Sequence, residues 1–449
     1  MNINGTSGKF SPPRMLVLGF IILIFIGTAM LLLPYSTTRG ITLTDALFTS
    51  TSAVCVTGLT VRNTSADFTL FGQIIILILI QVGGLGYMSM ATFLAILVGR
   101  KIGISGRLLI KESLSTTSLE GVVIFMKGML AFVLIAEGIG AVILSARFYQ
   151  DYPLDKAIMY GVFHSISALN NAGFSLFEES LVKFSGDGVI NLTVMLLVIL
   201  GGLGFIVIDD LYACIRKRSG KLMVHTSLVL WTTGILIIAG ALLIYINERN
   251  YLFALPGTGL METVYSSLFA SVTARTAGFN TMDYSVVQPA TIFLTTILMI
   301  IGGSPGSTAG GIKTTTISVV IINIWCTIRG RRDTVVFKRR IPEDMVSKSL
   351  VILALAIIYI TFVTLVIIDM EHTKFLETVF EVVSAFGTVG LSTGDGAGHS
   401  FCAAFSDMSK GIIIITMLAG RLGPLTLFMA LLRQREESIR YPEGRVIIG

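Results

Sequence analysis

Four stretches of the chain close a turn on glycine: Cys55-Val56-Thr57-Gly58, Asn170-Asn171-Ala172-Gly173, Arg275-Thr276-Ala277-Gly278 and Gly387-Thr388-Val389-Gly390. Their side chains run from thiol to amide to guanidinium, and only the closing glycine is shared. A monovalent cation stripped of water needs several oxygens at once and no counter-charge strong enough to trap it, which main-chain carbonyls supply. Glycine lets the backbone take conformations that a Cβ hinders. The pattern points to coordination of a cation by backbone rather than by side chains. The glycines are 115, 105 and 112 residues apart, a period that marks an internal repeat.

Such turns must be carried by elements that keep water and lipid away from bare peptide groups. Of the 449 residues, 53% are hydrophobic and 13% charged, against roughly 25% charged in soluble domains. Apolar runs long enough for about 30 Å of hydrocarbon recur on both sides of each turn. The predicted fold is an all-α integral membrane protein with eight transmembrane helices and four re-entrant pore loops. It is built as four tandem span, pore helix, filter turn and span repeats around one central pore. First spans lie near residues 15–33, 128–147, 228–246 and 349–368, and second spans near 70–98, 189–211, 290–325 and 411–432. The repeats occupy 15–98, 128–211, 228–325 and 349–432. The intervening segments are an N-terminus 1–14, linkers 99–127, 212–227 and 326–348, and a C-terminus 433–449. The run at 15–33 ends at Pro34 with no small-residue cleavage site and reads as a span rather than a removable signal.

Charge gives the orientation. Of 33 Lys and Arg, 22 lie in the two termini and three linkers, whereas 16 of 27 Asp and Glu flank the glycine turns. By the positive-inside rule both termini are cytoplasmic and the turns open outward. The basic balance therefore reports topology, not a nucleic-acid partner. Segments 42–53, 155–169, 260–274 and 374–386 read as short helices entering the membrane part-way, with Thr44-Asp45, Asp155, Thr258 and Thr373 as N-caps. Their C-terminal dipole ends then face the turn, which suits a cation.

Two features interrupt the apolar pattern. Gly302-Gly303-Ser304-Pro305-Gly306-Ser307-Thr308-Ala309-Gly310-Gly311-Ile312-Lys313 holds five glycines and a proline inside the second span of repeat three. It cannot stay helical through its centre, and it reads as a flexible loop obstructing the pore below the turn. Arg421 sits in the last span, where a charge costs roughly 2.5–3.5 kcal/mol. It reads as a positive barrier on the pore side, with a salt bridge between repeats as the alternative. Arg275 is expected to turn from the axis and pair with Glu381, and Glu137 to pair with a linker base. Asp209 and Asp210 read as solvated at a span end. The repeat pattern looks broken only in repeat three.

The four cysteines and four histidines show no metal-ligand or disulfide spacing. No HExxH helix, nucleophile elbow or paired membrane aspartates appear, so the chain does not read as an enzyme. A cation-coupled (Na+ or H+) secondary transporter is the alternative; such proteins usually carry inverted repeats, whereas these four share one polarity.

Several stretches carry a resemblance over essentially the whole chain: VCVTGL (54–59), QVGGLGYM (81–88), LNNAGFS (169–175), TARTAGFN (273–280), GGSPGSTAGGIKTTT (302–316) and LAGRLGPLTL (418–427). The chain resembles the Trk/Ktr/HKT potassium transporter superfamily, and within it the shorter membrane subunits of Ktr systems. The resemblance implies channel-like K+ uptake across the plasma membrane, with K+ held by filter carbonyls. It implies that a glycine at position 58 goes with potassium, and that the loop 302–313 is an intramembrane gate. It further implies a homodimer on a cytosolic ring of nucleotide-binding (Ktr-type) regulatory subunits, and possible activation by sodium. A nucleotide such as ATP, ADP or NAD would bind on that partner, since this chain has no dinucleotide fingerprint.

Overall fold

In the computed structural model, residues 12–86, 122–216, 220–254, 259–394 and 399–431 are described. Most of linker 99–127 and the C-terminus 433–449 lie outside them. Among the described residues fifteen α-helices follow one another: α1 Pro12–Leu31, α2 Leu43–Val54, α3 Leu70–Leu85, α4 Val122–Phe148, α5 Leu154–Leu169, α6 Gly188–Leu203 and α7 Phe205–Ile215. The series continues with α8 Val224–Glu248, α9 Leu260–Thr273, α10 Pro289–Ile300, α11 Thr314–Ile328, α12 Glu343–Glu371, α13 Phe375–Gly387, α14 Asp407–Leu422 and α15 Pro424–Leu431. A two-stranded antiparallel hairpin, β1 Val335–Val336 and β2 Arg339–Arg340, sits between α11 and α12.

Helices α1, α4, α8 and α12 are long and apolar enough to cross a membrane. Their outward faces carry exposed Phe25, Ile139, Ile238 and Ile358, the apolar exterior that lipid accommodates. The short helices α2, α5, α9 and α13 are polar and buried instead: Ser50, Thr51, Ser165, Ser167, Ser271 and Ser384 are inaccessible. Serine hydroxyls satisfy themselves on neighbouring backbone. Ser50 Oγ donates to Ile24 O (2.7 Å), and Ser165 Oγ to Glu137 O (2.7 Å). The same bond recurs from Ser271 Oγ to Ile237 O (2.9 Å). This repeated bond seats the short helix on the long helix of its own repeat.

Each short helix carries an acid in its first turn: Asp45, Asp155, Glu262 and Glu377. The caps differ from those expected. Thr42, not Thr44 or Asp45, caps α2 by accepting from Asp45 N (3.1 Å). Pro153 and Lys374 precede α5 and α13 without a side-chain cap bond, because Asp155 is already helical and Thr373 Oγ1 is engaged with Thr378 Oγ1. Thr258 lies outside the described residues.

The second spans are not the continuous helices that their hydropathy suggests. Helix α3 ends at Gly86 (φ +78°), and α6 and α7 meet at Gly204 (φ +95°) with a 98° bend. Helices α14 and α15 are separated by Gly423 (φ +84°). Only repeat three breaks without a glycine hinge of this kind: α10 stops at Ile300 and α11 begins at Thr314. The expectation that repeat three alone is interrupted is therefore corrected. A left-handed residue ends an α-helix, and Gly83-Gly84-Leu85-Gly86, Gly201-Gly202-Leu203-Gly204 and Gly420-Arg421-Leu422-Gly423 supply one at the same place in three repeats.

Candidate functional site

After each short helix the chain turns twice through left-handed backbone. Val56, Asn171, Thr276 and Thr388 have φ of +56°, +59°, +78° and +49°, and the closing glycines +90°, +71°, +79° and +90°. The N–H between these two positions is tied back to the helix. Thr57 N, Ala172 N and Val389 N each donate over 2.8 Å to Ser52 O, Ser167 O and Ser384 O, and Ala277 N over 2.9 Å to Thr273 O. Gly58 N and Gly390 N are held in turn by Ser52 Oγ (3.1 Å) and Ser384 Oγ (3.0 Å). With the donors bound backward, the carbonyls point elsewhere.

The four turns meet. A Cβ placed on Gly58 would lie 3.0 Å from Gly173 Cα, one on Gly173 2.8 Å from Gly278 Cα, one on Gly278 3.3 Å from Gly390 Cα, and one on Gly390 3.0 Å from Gly58 Cα. The repeats thus close a ring in chain order. The oxygens of Ala172, Ala277 and Val389 each abut the glycine of the preceding repeat, and Thr57 O closes the ring on Gly390. None of these four accepts a hydrogen bond among the described residues. A ring of unpaired carbonyls at a helix-dipole focus can replace the hydration shell of a cation. No side chain could be added at the ring without moving backbone.

Above the glycines opens a cavity of about 340 Å³ lined by all four of them, with Ser175, Glu178, Glu179, Asp283, Ser392 and Ser400 among its walls. Acids at such a mouth raise the local cation concentration. Two buried groups brace its rim from behind. His164 Nε2 meets Ser175 Oγ (3.0 Å), and Glu381 accepts from Ser392 Oγ (2.7 Å) and Cys402 N (3.0 Å). Each stands nine residues before its glycine, and each serine two after.

Below the ring, residues 302–313 fill the space between repeats. Ser304 N and Thr308 N donate to Gly202 O (3.0 Å) and Gly201 O (3.2 Å), and Phe205 N donates to Gly306 O (2.9 Å). Gly311 N reaches Gly420 O (3.3 Å). Gly310 packs directly under the Thr388 side chain. The guanidinium of Arg421 donates to Thr308 O, to Gly83 O (2.6 Å) and to Gly84 O (3.0 Å), so one cation joins repeats one, three and four through carbonyls. No acid pairs with it among the described residues, and the salt-bridge alternative fails there. Lys313 Nζ folds back on Ala309 O (2.7 Å).

Other expectations are corrected by geometry. Arg275 turns away from the ring, but its bond is to Thr233 Oγ1 (3.3 Å) on α8; Glu381 is occupied with Ser392 and Cys402. Glu137 is buried and accepts from Gln81 Nε2 (3.2 Å) and Asn170 Nδ2 (3.1 Å) among the described residues; the bases of linker 99–127 lie outside them, Lys127 excepted. Buried amides provide what a base would have supplied. Asp210 is buried rather than solvated and accepts from Met223 N (2.9 Å). The letters Gly302-Gly303-Ser304-Pro305-Gly306 do spell the G-x-S-x-G of a nucleophile elbow, which the sequence reading passes over. Helix, not strand, precedes them, and Ser304 Oγ bonds Thr314 Oγ1 (3.0 Å), so the context an elbow needs is missing. The repeated glycine hinges and the Gln81–Glu137–Asn170 cluster were also missed. The hinges were legible as the twice-written GGLG; the cluster joins residues 56 and 33 positions apart and leaves no local signal.

A bundle of long apolar helices around four inward half-helices defines a membrane transport protein. The family model described as "TrkH: Cation transport protein" matches residues 14–440, and the chain belongs to that family. It is 38% identical over 98% of its length to the Ktr system potassium uptake protein B of Bacillus subtilis (strain 168), covering 97% of that protein. It is 36% identical to its namesake from Vibrio alginolyticus over 98% of this chain and 96% of that one. It is also 36% identical to the potassium/sodium uptake protein NtpJ of Enterococcus hirae, over 98% of each chain. The crystal structure of the potassium transporter TrkH from Vibrio parahaemolyticus shares the fold, with a TM-score of 0.73 and 20% identity over 96% of this chain and 87% of that one.

Proposed function

We propose that this chain is the ion-translocating subunit of a potassium uptake system, conducting K+ inward through the axis where the four glycine turns meet. The observation that carries the reading is the closed ring of Thr57, Ala172, Ala277 and Val389 carbonyls beneath an acid-lined outer cavity. K+ enters that cavity, sheds water onto the carbonyls and leaves through the layer held by residues 302–313 and Arg421. That layer is the gate: the loop is bonded to repeats two and four, and Arg421 places a fixed positive charge under the ring. Opening requires these bonds to break together.

Relatives named as potassium uptake proteins along nearly their whole length support the choice of ion. The naming of those relatives as parts of a Ktr system supports a partner. In this reading the chain sits as a homodimer in the cell membrane with both termini cytoplasmic, and nucleotide-binding regulatory subunits act on the gate from the basic side. Glycine at position 58 and the carbonyl ring favour K+ over Na+. The test is uptake of radioactive rubidium by vesicles holding only the purified chain, driven by an outward potassium gradient. Uptake without a proton gradient is the expected outcome; uptake only when protons or sodium move with the ion would replace the pore by a coupled cycle.

A further inference from the structure

Away from the ion axis, the basic end of the bundle holds a groove of about 560 Å³. It opens between the segment leading into α8 and the β1–β2 hairpin with the start of α12. The hairpin is firmly built. Phe337 and Lys338 form its two-residue turn at φ +46° and +61°, the left-handed pair that a tight hairpin requires. Ile341 N donates to Thr334 O (2.9 Å), and Thr334 Oγ1 bonds Asn323 Oδ1 (2.8 Å) on α11. Val336 and Ile341 rest on a small core of Leu228, Val319 and Val346. The hairpin therefore presents Phe337 and Arg339 from a fixed base.

The groove has two chemistries side by side. Lys221, Arg339 and Arg340 give it positive charge, while Met223, Phe337 and Met345 leave about half of their surfaces bare. Arg340 is already engaged with Asp333 (2.9 Å) and Glu343 (3.6 Å), whereas Arg339 makes no ion pair among the described residues. A small soluble anion would need the charge but not the apolar surface. The depth of the groove explains the combination. At the same end, Trp325 and Tyr212 are 55% and 49% exposed, and Arg329 and Arg216 lie over their rings at 4.5 and 4.8 Å. Exposed aromatic residues at helix ends mark the level of lipid headgroups. From the groove, α8 and α12 run into the hydrocarbon with lipid-facing Trp231, Ile235 and Val351.

We infer that this groove binds an anionic phospholipid, with its phosphate between Lys221 and Arg339 and its glycerol and upper acyl carbons on Met223, Phe337 and Met345. Basic pockets between membrane helices hold such headgroups by charge, and the chains by burial. This rests on the placement of the helices in a membrane, not on the ion carried.

The test is native mass spectrometry of the full-length protein, exchanged with vesicles of phosphatidylcholine containing one-tenth cardiolipin. Wild type should retain cardiolipin over phosphatidylcholine. Arg339→Gln should lose retention roughly fivefold, with a further loss of about that size on adding Lys221→Gln. Arg339→Lys, which keeps the charge, should stay near wild type, as should Lys374→Gln at the far end of the bundle. Arg339 is exposed and makes no ion pair among the described residues, so the single variant carries the test even if the double variant aggregates. Undiminished cardiolipin on Arg339→Gln, or no preference for cardiolipin in wild type, overturns the proposal. So does a variant that keeps its lipid but loses a co-purifying soluble protein, which would make the groove a protein dock.

Discussion

Two layers of the same fourfold scaffold have been treated in opposite ways. At the glycine turns the repeats differ in side chain and agree in backbone, each with the same pair of left-handed residues. One layer below, at the hinges of the second spans, they agree in place and differ in content: two GGLG turns, a twelve-residue loop and one arginine. Under the proposed function, selecting an ion requires equal oxygens around an axis, which accounts for the symmetry kept at the carbonyls. In the same proposal, regulating passage requires something that can move or repel, and a single loop from one repeat with a single charge from another would provide it. The bonds from Arg421 to Gly83, Gly84 and Thr308 span the layer in which the symmetry is lost.

The contrast can be broken most severely at the ring. Gly173→Ala would put a Cβ 2.8 Å from Gly278 Cα at φ +71°, and rubidium uptake should fall by at least roughly tenfold, since a ΔΔG of about 1.4 kcal/mol already suffices for that factor. In the lower layer the sign reverses. Arg421→Gln removes the fixed charge and cannot reach three carbonyls, so uptake should rise by a few-fold; unchanged uptake in a well-folded variant would deny the barrier. Between the layers, Glu137→Ala strips a partner from both Gln81 and Asn170. Asn170 Nδ2 keeps Gln81 Oε1 and Ile166 O, so the loss falls on Gln81 Nε2; a donor left unsatisfied costs about 1–3 kcal/mol, visible as a lower Tm, while Glu137→Gln should lose less. The smallest effect is expected at a hinge. Gly423→Ala forces a Cβ into φ +84° with no atom near enough to clash, costing about 1–2 kcal/mol, with thermal unfolding as the readout and ion preference unchanged.

The upper layer was legible in the sequence because its design is local. A short helix and two left-handed positions, the second a glycine, occur within about twenty residues, four times over, and the observed short helices fall within a residue or two of the expected bounds. In the lower layer, composition drew attention only at residues 302–313 and Arg421. The other hinges were written as a repeated GGLG, but glycines in an apolar run scarcely alter hydropathy, although at Gly204 (φ +95°) the chain bends by 98°. Polar partnerships were the least legible. Arg275 with Thr233, and Glu137 with Gln81 and Asn170, depend on which helices pack together, and a search for opposite charge looked past hydroxyls and amides.

The central claim is that the backbone ring, not a side chain, chooses the ion. The most direct test is the K+ to Na+ permeability ratio of the purified chain in a planar bilayer, for wild type and for Gly58→Ser. Wild type should favour K+, and the serine variant, whose Cβ would press on Ala172 O and Gly173 Cα, should fall toward equal permeability. The same ratio in both proteins, with the variant still conducting, would contradict the account.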